Sequence, residues 1–208
     1  THVLRNTSLD VHHAILPDTA RIKVNTSALI AAAQPLPLHP GVYVLQPTDM
    51  LLHSATHLFQ EGQLENGLRD LFDLDSLLRH FSVETDFWNH LVPRAQELGL
   101  TRPLYYALRY TSQLLKTPIP AALLRESANT GEPSKLALAF MDFCYLRALQ
   151  PCHASCNTRG TRLARTLLYV RSHWMRMPLM LLIPHLVRKA LTRPKEAKNE
   201  IQSDIALK

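Results

Sequence analysis

Gln46–Phe81, QPTDMLLHSATHLFQEGQLENGLRDLFDLDSLLRHF, decides the fold. Pro47-Thr48-Asp49 is a turn and N-cap signal, and Leu51, Leu52, Ala55, Leu58 and Phe59 follow at helical spacing. Glu61-Gly62-Gln63 breaks the run. A second periodic run of Leu64, Leu68, Leu71, Phe72, Leu74, Leu77 and Leu78 then begins, with acids and an arginine between its apolar positions. Two helices on so short a link make an antiparallel hairpin.

The polar residues of this hairpin are paired. His53 and His57 stand four apart on one helical face, and Arg69 and Asp73 do the same on the next helix. Two readings are open. In one, the histidines are ordinary helix residues and Arg69 forms an intrahelical ion pair with Asp73. In the other, the histidines and an acid line a polar site. As a metal motif, His-x-x-x-His lacks the intervening Glu and the third ligand of a zinc protease.

At 208 residues the chain can bury one sizeable core. A hydrophobic content of 46% excludes a disordered protein. The balance of 23 Lys+Arg against 17 Asp+Glu gives +6, and eleven histidines add charge at mildly acid pH. That balance suits phosphate-bearing partners, yet many of the bases gather toward the C-terminus, so charge alone does not imply nucleic-acid binding. Arg69, Arg102, Arg109 and Arg147 are individual candidates for phosphate contact. Three cysteines, Cys144, Cys152 and Cys156, form no disulfide framework, and their odd count fits a reducing, cytoplasmic location. Cys152-His153-Ala154-Ser155-Cys156 reads as a plain loop or, less simply, a soft-metal site joined by Cys144. No signal peptide is expected from the opening residues.

In chain order, Leu9–Ile15 reads as a strand, Asn25–Ala33 as a short helix capped by Asn25 or Thr26, and Val42–Leu45 as a second strand. Two short strands make no stable sheet alone. Helical segments are expected near 84–98, 101–115, 120–128, 134–149, 160–176 and 178–191, with Pro93 kinking or splitting the first. Leu167–Arg193 is too interrupted by Arg171, His173, Arg176, Pro178, Pro184 and His185 to span a bilayer, but it suits a membrane surface or a protein partner. The polar tail, 194–208, is expected to be disordered.

The order Leu9-Asp10-Val11-His12, then Pro47-Thr48-Asp49-Met50-Leu51-Leu52-His53-Ser54-Ala55-Thr56-His57, then Leu68-Arg69-Asp70-Leu71-Phe72-Asp73, resembles the uncharacterised bacterial nucleotidyltransferase family over residues 9–80. That family reads an acidic-hydrophobic-His-Trp strand, a Pro-x-Asp-x-Leu-Leu-His-Leu-x-x-His helix and a Leu-Arg-x-Leu-x-Asp helix. It is similar to the polymerase-β-like nucleotidyltransferases, whose small sheet carries a Gly-Ser signature, an Asp-x-Asp pair and a third carboxylate on a later strand. The resemblance implies Mg²⁺ and a nucleoside triphosphate, ATP in the first instance, as cofactor and substrate, with an unknown acceptor. It places the third carboxylate, a metal ligand, at Asp10, with His12 beside it and His53, His57, Arg69 and Asp73 lining the site from the helices.

No Gly-Ser precedes an Asp-x-Asp in this sequence, and the lone Asp73-Leu74-Asp75 lies in a helical run, where residues two apart point about 200° apart. The expectation is therefore a fragment whose other metal ligands precede Thr1, inactive by itself. Its fold class is mainly α with a small N-terminal β element, the remnant of an α+β nucleotidyltransferase sheet followed by a multi-helix bundle. Residues 1–46 are the partial α/β segment, 47–193 the helical domain and 194–208 the tail. The alternative is a non-catalytic helical interaction module.

Overall fold

A computed structural model describes residues 13–60, 62, 64–83, 86–176 and 180. The chain divides into two units, Thr1–Arg176 and Met177–Lys208, and the architecture below is that of the first.

It is mostly helical. In order come α1 (Thr26–Ala31), β1 (Gln34–Pro35), β2 (Tyr43–Val44), α2 (Pro47–Gln60), α3 (Gly67–Phe81), α4 (Phe87–Leu98), α5 (Thr101–Tyr110), α6 (Ala121–Gly131), α7 (Lys135–Ala148) and α8 (Thr161–Arg176). A π-helical turn, Thr111–Leu115, extends α5 and ends at Lys116 in the left-handed region, φ 56°.

Asn25 is the cap of α1, its side chain accepting from the Ala28 amide at 3.1 Å. β1 and β2 pair antiparallel, with Gln34 opposite Val44 and Pro35 opposite Tyr43. The strand at 42–45 thus has a partner that sequence reading did not supply. Residues 9–12 of the other expected strand lie outside the described residues, and 13–16 form a bend that seats Ile15 in the core.

α2 supplies the centre of that core. Leu51, Leu52, Ala55, Leu58 and Phe59 are all buried, as their spacing predicts. The Phe59 ring lies 5.6, 5.8 and 5.1 Å from the rings of Tyr106, Tyr110 and Tyr145, so α2, α5 and α7 meet there. Leu64, Leu71, Leu74 and Leu78 are buried along α3 and just before it, whereas Phe72 turns outward with half its surface exposed. α4 is not split at Pro93, which sits exposed within an unbroken helix. That helix closes on Gly99 at φ 73°, where a Cβ would stand 2.7 Å from the Lys23 carbonyl, so only glycine fits.

Candidate functional site

Pro47 occupies the first helical position of α2, where its missing N–H costs nothing. Two residues on, Asp49 turns inward and is fully buried. From α4, Arg94 donates from Nε to Asp49 Oδ1 and from Nη2 to Oδ2, both at 2.8 Å. The same Nη2 reaches the Ala28 carbonyl at 2.9 Å, and Nη1 reaches Glu97 Oε2 at 2.7 Å. The hydrogen bond to Asp49 holds the guanidinium above its ordinary pKa, against the opposing pull of burial. This arginine ties α1, α2 and α4 together at one wall of a cleft of about 490 Å³. Gln46, Thr48, His90 and Glu97 also line that cleft. With four of its five donors directed at protein acceptors, Arg94 shapes the cleft wall.

Of the residues named from sequence, His53 and His57 are brought together, their rings 4.5 Å apart on the outer side of α2. His53 is half-buried and His57 exposed. Arg69 and Asp73 are both exposed on α3 and form no ion pair with each other. The intrahelical pair lies farther along, where Arg79 Nε donates to both oxygens of Asp75 at 2.9 Å. Asp10 and His12 lie outside the described residues.

The described carboxylates do not fit a paired-metal site. Asp75 is taken by Arg79 and by Thr117 Oγ1 at 2.6 Å, Leu74 beside it is buried in the core, and Asp73 faces out. Asp49 belongs to Arg94. Asp142 accepts from Arg109 Nε at 2.9 Å, from Arg109 Nη2 at 2.6 Å and from Tyr110 Oη at 2.9 Å. No cluster of three His, Cys, Asp or Glu among the described residues can hold a metal ion.

Sequence reading missed this α5–α7 network. Arg109, a phosphate candidate from sequence, is half-buried and tied to Asp142. The available signal was Asp142, the only acid of α7, set between Met141 and Phe143. Burial pushes the Tyr110 phenol above its ordinary pKa, with the Asp142 charge acting in the same direction. Also unforeseen was the C-terminal end of α2, where the Phe59 carbonyl accepts from Tyr145 Oη at 3.1 Å and Arg171 Nη1 at 2.9 Å.

The described part of the Leu167–Arg193 stretch is the second half of α8 and Met180. Its Leu168 is buried, Arg171 reaches inward to Phe59, and the Arg21 guanidinium lies 4.3 Å from the centre of the Trp174 ring. Among the described residues no helix is long and apolar enough to cross a membrane. All three cysteines are free, Cys144 buried and Cys152 exposed. His153 Nδ1 stands 2.7 Å from Ser155 Oγ in the loop between α7 and α8.

No curated protein and no solved structure matches the chain. The profile of a family described as uncharacterised nucleotidyltransferase matches residues 1–116, from the N-terminus through α5 and its π turn, and so includes both helices of the central hairpin. Matched over more than half its length, the chain belongs to the uncharacterised nucleotidyltransferase family.

Proposed function

We propose that the protein transfers a nucleotidyl group from a nucleoside triphosphate, ATP in the first instance, to a hydroxyl or a protein side chain with the help of Mg²⁺. The observation that carries this reading is the family match over residues 1–116. Within it fall Asp10 and the Pro47-x-Asp49-x-Leu51-Leu52-His53-x-x-x-His57 helix. Mg²⁺, when bound, neutralises phosphate charge and orients the triphosphate for in-line attack.

In this reading Asp10 is a metal ligand, with His12 beside it. His53, His57, Arg69 and Asp73 form the polar surface presented to the nucleotide or acceptor. Asp49 and Arg94 are positioning residues, since their ion pair fixes the start of α2 and hence the height at which His53 and His57 stand. Three unpaired cysteines suit a reducing compartment such as the cytoplasm. In this reading the Asp-x-Asp of α3 is not the metal pair, since Asp75 is committed to Arg79 and Thr117.

The test is label transfer from α-³²P nucleoside triphosphates to an acceptor by the purified protein, with and without Mg²⁺. Label transfer that requires Mg²⁺ is the expected result. No transfer with any nucleotide would remove the proposal.

A further inference from the structure

Residues 143–176 carry six arginines, at 147, 159, 162, 165, 171 and 176, and not one acid. Their number equals the whole net charge of +6, for the rest of the chain holds seventeen bases and seventeen acids. Elsewhere in the folded unit, Arg79, Arg94 and Arg109 are each matched to a carboxylate. Within the acid-free stretch, Arg171 and Arg147 serve the fold. Arg171 holds the end of α2, and Arg147 donates to the Phe143 carbonyl at 3.0 Å with its guanidinium over the Phe143 ring.

Arg159, Arg162 and Arg165 are left without such a role. Arg159 and Arg162 are exposed, and among the described residues their guanidinium groups have no hydrogen-bond or ion-pair partner. Among the described residues, half-buried Arg165 reaches only the Cys152 sulfur, at 3.8 Å, and its Nε has no partner. Arg162 and Arg165 are three apart and so project from one side of α8. Both line a cleft of about 790 Å³ together with Asn157, Thr158, Thr161 and Thr166, and among the described residues no acid contributes to its walls. A space of that order holds a nucleotide-sized ligand. The cleft opens beside the first turn of α8, whose dipole adds positive potential to that of the side chains.

We propose that this cleft binds a phosphate-bearing ligand, with Arg162 and Arg165 as the gripping residues. Guanidinium forks match the oxygen geometry of phosphate, and the surrounding hydroxyl and amide groups supply further donors. Two adjacent arginines with no carboxylate partner among the described residues favour a multiply charged group over a single carboxylate. The cleft lies beyond the residues that the family profile matches, and the inference does not depend on the transferase reading.

Titration of the purified protein with inorganic tripolyphosphate, with ATP and with a short single-stranded oligonucleotide tests it. The variants are R162Q/R165Q and, as a control for lost charge, R125Q/K135Q, which changes exposed residues of α6 and α7. Binding that weakens about tenfold in R162Q/R165Q and little in the control is expected, the loss of one or two charge-assisted hydrogen bonds. If tripolyphosphate and ATP bind, the ligand's source is a nucleotide, and if only the oligonucleotide binds, it is a phosphodiester chain. Failure of all three to bind, or equal weakening in both double variants, overturns the proposal.

Discussion

Arg94 holds the carboxylate of Asp49 in a two-pronged grip, both hydrogen bonds 2.8 Å long, with Asp49 wholly buried and the Arg94 side chain 11% exposed. An ion pair this deep has its largest effect when broken, because the survivor is a buried charge without a partner. Asp49→Ala is expected to cost about 3–5 kcal/mol of unfolding free energy in urea denaturation. Arg94→Lys should recover only part of the wild-type stability, since an ammonium cannot reproduce the fork. A loss from Asp49→Ala below about 1 kcal/mol, the range of exposed pairs, would contradict the anchoring role.

Tyr145 gives the protein an alkaline limit. Burial pushes its phenol up to about 12, with Arg171 opposing, whereas an unfolded tyrosine ionises near its ordinary value of about 10. The folded state therefore keeps a proton that the unfolded state releases. The stability this contributes is complete below about pH 10 and is lost as pH rises through about 12. Urea midpoints measured between neutral pH and pH about 11 should fall in the wild type. They should fall less steeply in Tyr145→Phe, which begins lower by about 1 kcal/mol for the lost bond to the Phe59 carbonyl. Parallel slopes for the two proteins would contradict this assignment.

Gly131 closes α6 against α5, and a Cβ there would come within 2.8 Å of Tyr105 Cβ and closer still to the Thr101 carbonyl. Neither neighbour is the free end of a flexible side chain. Gly131→Ala should therefore destabilise by about 1–3 kcal/mol, although alanine is the better helix former. A stabilised variant would show that the two helices separate more easily than their packing indicates.

The helices were legible because their information is local. In α2 every apolar position picked by spacing is buried, and Asn25 caps α1 through its own side chain. Phe72 shows the limit of that reading. It is apolar and sits next to the buried Leu71, yet it lies on the flank that faces solvent. Pairings distant in sequence were not legible. Asp49 looked like a helix-start residue, and its partner Arg94 is 45 positions away. Likewise, β2 was visible as a strand, but its partner Gln34–Pro35 is too short and too proline-bound to announce itself. Arg69 and Asp73 had ideal spacing for a pair that does not form, whereas Asp75 and Arg79 at the same spacing do pair, helped by Thr117 from outside the helix. For the candidate site, the adjacency of His53 and His57 could be read directly. The cleft beside α8 could not, since it depends on which arginines the fold has already used.

The reaction assigned to the family is tested most directly through Asp10. Nucleotidyl transfer from an α-³²P-labelled triphosphate should require Mg²⁺. Asp10→Asn should reduce it by about a hundredfold or more, the scale of losing a group that organises transition-state charge. Unchanged, metal-dependent transfer by Asp10→Asn would contradict the account at its centre.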